Sequence, residues 1–386
     1  HPARELRLVA VTGTNGKTTT AGILRHVLDA PAARSASIGT LGVLLGSEGE
    51  PMPGGSGLTT PGPVELQRVL RALVDRRIQT VAMEVSSHSL DQRRVEGVTF
   101  EAAVFTNLTH DHLDYHTTME AYFDAKARLI SYLAPSGTAV VNADTPAWDA
   151  LPTVPRRITF GLAPAADVRA ESVCSHPTGS RMVLVVGRER HSIHLPLIGD
   201  FNITNALGAA AAALALGVPV DRIAARLESV PQVAGRLEIL HESPTVLRDY
   251  AHTPDALERS LLAVRPFVQG RLLVVFGCGG DRDRAKRPVM GAIASRLADF
   301  AIITSDNPRS EDPERILDEI ETGMGGTAHE RVEDRRAAIA RAIELARPND
   351  VVLLAGKGHE TYQVRGDVRL PFDEKEIVAE IVRGRG

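Results

Sequence analysis

The segment VTGTNGKTT, residues 11–19, combines the residue types that bind phosphate. Its glycines let backbone N–H groups close around phosphate oxygens, and the start of the following helix adds positive potential. A lysine meets the outer phosphates, and the adjacent hydroxyl can ligate Mg²⁺. The general pattern G-x-x-x-x-G-K-[ST] is missed at one position, Val11, and a glycine-rich turn that binds nothing is the alternative. The residues predicted to hold a nucleotide are Gly13, Thr14, Asn15, Gly16, Lys17, Thr18 and Thr19.

Candidate metal ligands follow two later strand-like runs. Glu84 is the penultimate residue of the run TVAMEV, at the end of the second predicted strand, and His112 follows EAAVFTN in the segment THDHLDYH. Mg²⁺ prefers oxygen ligands, so Glu84 with Thr18 suits one ion, whereas His112 is an unusual ligand for a second. Taken alone, the loop histidines His110, His112 and His116 are expected to be solvated.

The elements that position these residues alternate between short aliphatic runs and helical stretches from residue 6 to about 231, which is typical of parallel strands with crossover helices. The pattern then restarts, which predicts a second α/β domain. Predicted strands cover 6–11, 80–85, 101–107, 138–144, 245–250, 271–277, 299–305 and 350–356, predicted helices 119–133 and 206–216, and predicted loops 46–62 and 163–169.

Polar segments directly follow the four strands of the second domain: AHTPD, CGGDRD, DNPRSEDP and KGHE. Ligands of open parallel sheets bind beyond the carboxyl ends of the strands. The four segments therefore predict one binding crevice.

Length and composition are those of a globular enzyme. The 386 residues predict two domains, and 43% hydrophobic with 24% charged residues excludes a disordered chain. A net charge of −4 argues against a nucleic-acid-binding surface along the chain. The cysteines Cys174 and Cys278 are expected to be unpaired, buried thiols in a reducing cytoplasm. No apolar run is long enough to span a membrane, and the first residues lack a signal-peptide pattern.

Motifs along nearly the whole chain resemble those of the Mur ligase family, which is related to the folylpolyglutamate synthases. The motifs are GTNGKTT, EVSSHSLDQRRV, NLTHDHLDYH, GDFNITNALGAAAA, GRLE, DYAHTPDALE, GCGGDRDRAKRP, SDNPRSEDP and GKGHETYQ. Their order resembles the branch that adds the third residue of the peptidoglycan stem peptide. The resemblance implies an α/β fold, with a P-loop-type central ATPase domain and a parallel-rich sheet over 1–233, and a Rossmann-like amino-acid-binding domain over 234–386.

The reaction implied by the resemblance uses ATP and Mg²⁺. ATP phosphorylates the γ-carboxylate of the D-glutamyl group in UDP-N-acetylmuramoyl-L-alanyl-D-glutamate, and an amino acid then attacks the acyl phosphate. We expect a cytoplasmic monomer without nucleic-acid or membrane partners. A folylpolyglutamate-type ligase is the alternative enzyme, disfavoured by SDNPRSEDP and EVSSHSLDQRR. A non-catalytic ATP-binding remnant is disfavoured by intact Lys17, Glu84, His112, Lys126 and Arg309.

Individual roles are also carried over from the family. Lys126, which by composition alone is expected to be a solvated helix lysine, corresponds to a lysine that CO₂ carbamylates so that it supports the second Mg²⁺. Arg236 of GRLE corresponds to an arginine that reaches the γ-phosphate, which implies closure of the two domains. The resemblance makes Lys17, Lys126, His112 and Arg236 catalytic and Thr18, Glu84, His112 and Lys126 metal-binding. It places Asn202, Asn205, Asp249 and His252 at the nucleotide, although each can equally cap a helix or turn, and Thr59, Thr60, Ser86, Gln92 and Arg94 at the acceptor.

Arg309 indicates which amino acid is added. Diaminopimelate has a carboxylate at its far end that a guanidinium can hold through two hydrogen bonds, whereas lysine has an ammonium there. Arg309 therefore predicts meso-2,6-diaminopimelate, and lysine-adding relatives lack this arginine; a surface residue after a proline turn is the alternative. The rest of the predicted pocket is Arg282, Asp306, Asn307, Pro308, Gly356 and Glu360.

The resemblance also predicts a departure from the family at the start of the chain. Members carry an N-terminal domain that binds the uridine, whereas this chain begins a few residues before its phosphate loop. Either this sequence is a fragment that omits the domain, or the protein holds the UDP portion weakly.

Overall fold

The computed structural model describes residues 1–53, 57–176, 178–326 and 328–384. They form two compact units, His1–Pro231 and Gln232–Gly386. Each has its own sheet flanked by helices, which confirms the predicted α/β fold class. The domain boundary after residue 233, and the ligand assigned to each domain, stay predictions.

The first unit is built on a large, mostly parallel sheet. Its strands are β1 (Arg7–Thr12), β2 (Ser35–Gly39), β3 (Gly42–Leu45), β4 (Glu50–Met52), β5 (Thr80–Glu84), β6 (Phe100–Phe105), β7 (Leu133–Asn142), β8 (Arg157–Gly161), β9 (Val168–His176), β10 (Gly179–Val186) and β11 (Glu189–Leu195). Its helices are α1 (Lys17–Leu28), α2 (Pro63–Asp75), α3 (Ser87–Asp91), α4 (Leu113–His116), α5 (Met119–Ala127), α6 (Asp200–Ala215) and α7 (Val220–Leu227).

The strand order places the phosphate loop at the centre of this sheet. Among the described residues the order is β11-β10-β9-β8-β7-β6-β1-β5-β2-β3-β4. Strand β1 lies between β5 and β6 and is parallel to both. Parallel strands covered by helices on both faces are continuously apolar, and residues 8–11 of β1 are accordingly almost completely buried. The loops after β1, β5 and β6 therefore emerge side by side.

Several local predictions for this unit were wrong. Helix α6 begins at Asp200 and not at residue 206, and α5 ends at Ala127, where a 3₁₀ segment continues to Tyr132. The predicted loops 46–62 and 163–169 overlap β4 and the start of β9, and residues 54–56 of the first loop lie outside the described part. Cys174 is exposed on β9, whereas Cys278 is buried as expected.

The second unit has a smaller sheet. Its strands are β12 (Glu238–Glu242), β13 (Thr245–Asp249), β14 (Leu272–Phe276), β15 (Phe300–Ile303), β16 (His329–Arg331), β17 (Val351–Ala355), β18 (Tyr362–Arg365) and β19 (Val368–Pro371), and its helices are α8 (Pro254–Val264), α9 (Lys286–Leu297), α10 (Pro313–Glu321), α11 (Arg335–Leu345) and α12 (Glu374–Arg383). In the described residues the sheet order is β12-β13-β17-β14-β15-β16, with β18 and β19 as a separate hairpin. Strands β13, β17, β14 and β15 are parallel, so the four predicted polar loops leave the same edge.

No helix in the described ranges is long and apolar enough to cross a membrane.

Helix α1 is anchored near its C-terminus by a buried histidine. His26 is 2% exposed; its Nδ1 lies 3.3 Å from the Ser47 carbonyl oxygen and its Nε2 3.1 Å from the Arg226 carbonyl oxygen. Burial, with the neighbouring charges of Arg226 and Arg25, lowers the pKa of His26 below its ordinary value. The folded state therefore disfavours the protonated ring.

This burial predicts a pH-dependent stability. As pH falls through about 6.5, the unfolded chain takes up a proton at His26 before the folded chain does, so stability is retained above that pH and lost below it. We expect His26→Gln to reduce the loss of unfolding free energy between neutral pH and mildly acidic pH, measured by urea denaturation. His176→Gln, at an exposed histidine, is the control and should leave the loss of unfolding free energy as in the native protein. An equal loss in the native and His26→Gln proteins would contradict this.

Candidate active site

The phosphate-loop segment joins β1 to α1, and two of its glycines are required by the packing. Gly13 has φ 144°, and a Cβ atom there would lie 1.9 Å from Thr106 Oγ1. Gly16 has φ 84°, and its Cβ would lie 2.2 Å from Asn205 Oδ1. No other residue type fits either position without displacing these neighbours. The loop therefore has the strand, turn and helix context in which such motifs bind phosphate.

Two lysines converge on one carbonyl of this loop. Lys17 Nζ donates to the carbonyl oxygens of Gly13 and Thr14 at 2.9 and 2.7 Å. Lys126 Nζ donates to the same Gly13 oxygen at 2.8 Å and lies 4.4 Å from the centre of the Tyr122 ring. Because Lys126 is only 1% exposed, the composition-based expectation of a solvated lysine is wrong.

The surroundings of Lys126 favour its neutral form. Desolvation, and then the positive charge of Lys17, lower its pKa well below the ordinary value. A neutral amine is the form that attacks CO₂, since an ammonium has no free electron pair. Carbamylation is chemically accessible at this position, and its occurrence stays a prediction.

A cluster of oxygen atoms surrounds the carboxylate of Glu84. Thr18 Oγ1 donates to Glu84 Oε2 at 3.0 Å, and the Thr40 backbone N–H donates to Oε1 at 2.8 Å. The Thr40 hydroxyl lies 3.2 Å from Oε2 and 3.1 Å from Thr59 Oγ1. A Cβ on Gly39 would lie 2.0 Å from Oε1. Sequence reasoning missed Gly39 and Thr40 because no motif marks the end of β2.

The histidine segment lies near this cluster but has a mixed character. His110 and His112 are exposed, whereas His116 is buried and its Nε2 lies 2.9 Å from Ser87 Oγ, so the expectation of solvation is wrong for His116. The centre of the His112 ring lies 4.9 Å from that of the His88 ring, and the backbone of His112 has φ 54°. Within the described residues, no three His, Cys, Asp or Glu side chains are grouped as for a metal ion. The metal roles of Thr18, Glu84, His112 and Lys126 therefore stay predictions.

The residues predicted to contact the acceptor form a connected network next to Glu84. Thr60 Oγ1 donates to the Glu84 carbonyl at 2.9 Å and accepts from the Ser86 backbone N–H at 3.1 Å. Arg94 donates to the Thr60 carbonyl at 3.1 Å and, through Nε, to Gln92 Oε1 at 2.9 Å. The structure therefore brings these predicted residues together at the end of β5.

Two buried asparagines of α6 lie next to the phosphate loop and the start of α1. Asn205 Nδ2 donates to Asn202 Oδ1 at 3.1 Å, and Asn205 Oδ1 lies 3.4 Å from Thr20 Oγ1 of α1. Both asparagines are at least 95% buried. Their predicted contact with the nucleotide is untested.

In the second unit, Asp249 shapes the turn that carries Arg236. Its Oδ2 accepts from the Leu237 backbone N–H at 2.8 Å and its Oδ1 from Ser260 Oγ at 3.0 Å, while burial raises the pKa of the carboxyl. The Arg236 guanidinium lies 5.0 Å from the centre of the Tyr250 ring. His252 is exposed, with Nδ1 2.7 Å from the Tyr250 carbonyl oxygen. The nucleotide roles of these residues stay predictions.

The segments after β15 and β17 meet at the predicted amino-acid pocket. Asn307 Nδ2 donates to Glu360 Oε2 at 3.0 Å. Asp306 is 8% exposed, and its buried Oδ2 has no hydrogen-bond partner in the described part of the chain. A Cβ on Gly356, which has φ 120°, would lie 2.7 Å from that oxygen. Pro308 is buried beside them, whereas Arg282 is exposed after β14.

Arg309 is held in an unusual conformation by the β18–β19 hairpin. Its φ is 51°, which is uncommon for a residue with a side chain. Its N–H donates to the Val364 carbonyl at 3.1 Å, and its carbonyl accepts from the Gly366 N–H at 2.7 Å. Its Nη1 donates to the Gly280 carbonyl at 2.8 Å. The hairpin therefore holds the backbone of Arg309, and the Gly280 carbonyl holds its guanidinium at the loop after β14.

Comparisons with known proteins agree with this arrangement. The Mur ligase middle domain matches residues 11–213, and the Mur ligase glutamate ligase domain matches residues 235–358. The chain is 48% identical to the UDP-N-acetylmuramoyl-L-alanyl-D-glutamate--2,6-diaminopimelate ligase of Synechococcus elongatus, over 97% of this chain and 76% of that protein. A solved structure of a ligase with that name has a TM-score of 0.72 at 36% identity, covering 98% of this chain and 79% of the other. Folylpolyglutamate synthase of Mycobacterium tuberculosis has a TM-score of 0.73 at 18% identity, over 92% and 89% of the chains, which shows a shared fold alone.

The two matching family models and the ligases similar to this chain define its class, an ATP-dependent ligase that forms amide bonds. The chain belongs to the Mur ligase family, as its motifs predict, and acts in the synthesis of peptidoglycan precursors.

Proposed function

We propose that this ligase joins meso-2,6-diaminopimelate to the γ-carboxylate of D-glutamate in UDP-N-acetylmuramoyl-L-alanyl-D-glutamate. The observation that carries the proposal is Arg309, which has φ 51°, donates from its guanidinium to the Gly280 carbonyl and follows Asp306 and Asn307, with Asn307 bonded to Glu360. This set offers a guanidinium for a carboxylate and two carboxylates for ammonium groups. Diaminopimelate has both kinds of group at each of its ends.

Phosphoryl transfer from ATP to the γ-carboxylate gives an acyl phosphate. The amine of diaminopimelate attacks its carbonyl carbon, and the tetrahedral intermediate releases phosphate to leave the amide. The chain contributes mainly positioning and charge. We assign the phosphates to backbone N–H groups of the phosphate loop other than those of Thr14 and Asn15, which donate to Asn107. Lys17 neutralises charge that develops during transfer.

The chemistry of the donor set fits Mg²⁺ next to the phosphate loop. Thr18 Oγ1 and Glu84 Oε2 are hard oxygen ligands 3.0 Å apart, as this ion prefers. For a second Mg²⁺ ion we assign His112 and the carbamate of Lys126. A protonated amine cannot bind a metal ion, whereas the oxygens of a carbamate can. When bound, Mg²⁺ would neutralise negative charge on the phosphates.

The remaining assignments follow the two units. In the first unit, the Thr60 network and Thr59 orient the acceptor beside Glu84, and Asn202 and Asn205 support the nucleotide site. From the second unit we assign Arg236 to the γ-phosphate and Asp249 and His252 to the nucleotide. We propose that the enzyme works as a cytoplasmic monomer on these small-molecule substrates, without nucleic-acid or membrane partners.

Replacing Lys17 with alanine tests the nucleotide assignment. We expect ADP formation that depends on Mg²⁺, acceptor and amino acid to fall by about a hundredfold or more, because a charge at the transferring phosphate is lost. Lys375→Ala, at a lysine whose side chain is 66% exposed, should leave the rate unchanged. Equal ADP production by the native and Lys17→Ala proteins would overturn the assignment.

A further inference from the structure

A buried lysine of the GKGHETYQ motif, to which the sequence analysis assigns no role, lies next to predicted residues of the amino-acid pocket. Lys357 is 0% exposed. Its Nζ lies 3.1 Å from Asn307 Oδ1 and 3.1 Å from Glu360 Oε2, while Asn307 Nδ2 lies 3.0 Å from the same Glu360 oxygen. These contacts form a closed triangle of three side chains from the segments after β15 and β17.

We propose that Lys357 is a positioning residue that orients Glu360 to receive an ammonium group of the incoming amino acid. The inference rests on the proposed function and adds a residue that determines binding of the amino acid. Within the triangle, Lys357 and Asn307 occupy Oε2 of Glu360. The other oxygen, Oε1, has no hydrogen-bond partner in the described part of the chain and is left for the ligand.

The triangle allows only one orientation of the Asn307 amide. Oδ1 faces two groups that can only donate, Lys357 Nζ at 3.1 Å and the Val364 backbone N–H at 2.9 Å. Nδ2 faces the carboxylate of Glu360, which only accepts when ionised. Lys357 thereby fixes Asn307, and both residues fix the Glu360 carboxylate.

Charge balance explains why a cation is buried at this point. Asp306 is 8% exposed and the Glu360 side chain 17% exposed, so the pocket holds two poorly solvated carboxylates. An ammonium in contact with Glu360 offsets the cost of keeping it ionised and partly buried. Without Lys357, the Asn307 Oδ1 and Glu360 Oε2 atoms would each lose a charged partner, and the Glu360 side chain would be free to turn.

Burial also excludes a direct role for Lys357. Its Nζ is enclosed by Asn307, Glu360 and the ring of Tyr362, whose centre is 5.9 Å away. A group that acts through Glu360 alters amino-acid binding only while residue 360 presents an acceptor to the ligand. Lys357 and Asn307 only donate to this side chain, so in Glu360→Gln they would hold the amide oxygen and leave the ligand an NH2 group, which cannot accept. This dependence separates positioning from a purely structural role.

The test measures steady-state kinetics of the full chain with Lys357→Met, Glu360→Gln and the double variant. For Lys357→Met we expect the KM for meso-diaminopimelate to rise about 30-fold, with kcat within about threefold of native and the KM values for ATP and acceptor unchanged. In the Glu360→Gln background, Lys357→Met should raise the KM for meso-diaminopimelate by less than about threefold further, because the effects of coupled residues are not additive. Lys375→Met is the matched control.

An unchanged KM in Lys357→Met, or independent and additive effects in the double variant, would overturn the proposal. If Lys357→Met does not fold, the double variant takes its place, because it carries no unpaired buried charge. Its KM for meso-diaminopimelate is then compared with that of Glu360→Gln. Equal KM values support the proposal, and a larger KM in the double variant overturns it. A native protein that makes an amide only with another amino acid would refute the proposed function, and the same comparison with that amino acid would still test Lys357.

Discussion

Lys126→Ala is expected to lose about a thousandfold or more in ligation rate, the largest single effect on catalysis in this account. The lysine is buried against the Gly13 carbonyl of the phosphate loop, next to Lys17. Carbamylation converts its amine into a group that carries negative charge and two oxygens. Alanine removes the two oxygens that we assign to the second Mg²⁺, and with them the support for an ion that would balance phosphate charge.

Short carboxylates distinguish the carbamate from the amine. Acetate is expected to restore part of the activity of Lys126→Ala by occupying the vacated space, and it should not stimulate Lys17→Ala. Incorporation of ¹³CO₂, observed as a carbamate signal by NMR in the native protein and lost in Lys126→Ala, provides an independent readout. Full activity in the alanine variant, or an unmodified ammonium in the ligand-bound enzyme, would contradict the assignment.

The second large effect concerns selection of the amino acid by Arg309. We expect the native enzyme to prefer meso-diaminopimelate over L-lysine by about a thousandfold or more in kcat/KM, since lysine leaves the guanidinium without a carboxylate partner and places an ammonium beside it. The hairpin holds the backbone of this residue at φ 51°, and the bond from its guanidinium to the Gly280 carbonyl keeps the side chain at the loop after β14. Arg309→Ala should remove most of that preference, mainly by impairing the use of diaminopimelate.

Arg315, an exposed arginine on α10, provides the matched control for charge. Arg315→Ala should keep the native preference. Comparable native values for the two amino acids, or a preference that Arg309→Ala leaves unchanged, would show that another group selects the substrate.

Motifs with short, fixed spacing could be predicted from the sequence because each lies at the junction between a strand and the segment after it. The phosphate loop follows β1, and Asp306 to Arg309 follow β15, as the alternation of aliphatic and polar runs predicts. The environment of Lys126 could not be predicted from composition. Its burial depends on which face of α5 packs against a loop more than a hundred residues away in the chain.

Supporting residues were missed for a related reason. Thr40 meets Glu84 because β2 lies beside β5 in the sheet, and sequence order does not reveal that adjacency. Lys357 sits between two predicted pocket residues, Gly356 and Glu360, yet its buried ammonium becomes apparent only when Asn307 is brought next to it. In both cases the missing information was tertiary contact between separate strands.

The most direct test of the proposed reaction is the mass of its product. Purified protein is incubated with ATP, Mg²⁺, UDP-N-acetylmuramoyl-L-alanyl-D-glutamate and an equimolar mixture of meso-diaminopimelate and L-lysine, and nucleotides and products are resolved by mass spectrometry. We expect one ADP for each acceptor converted and a product that carries a single diaminopimelyl residue in amide linkage. ADP without a new amide, or equal incorporation of lysine, would contradict the proposed reaction.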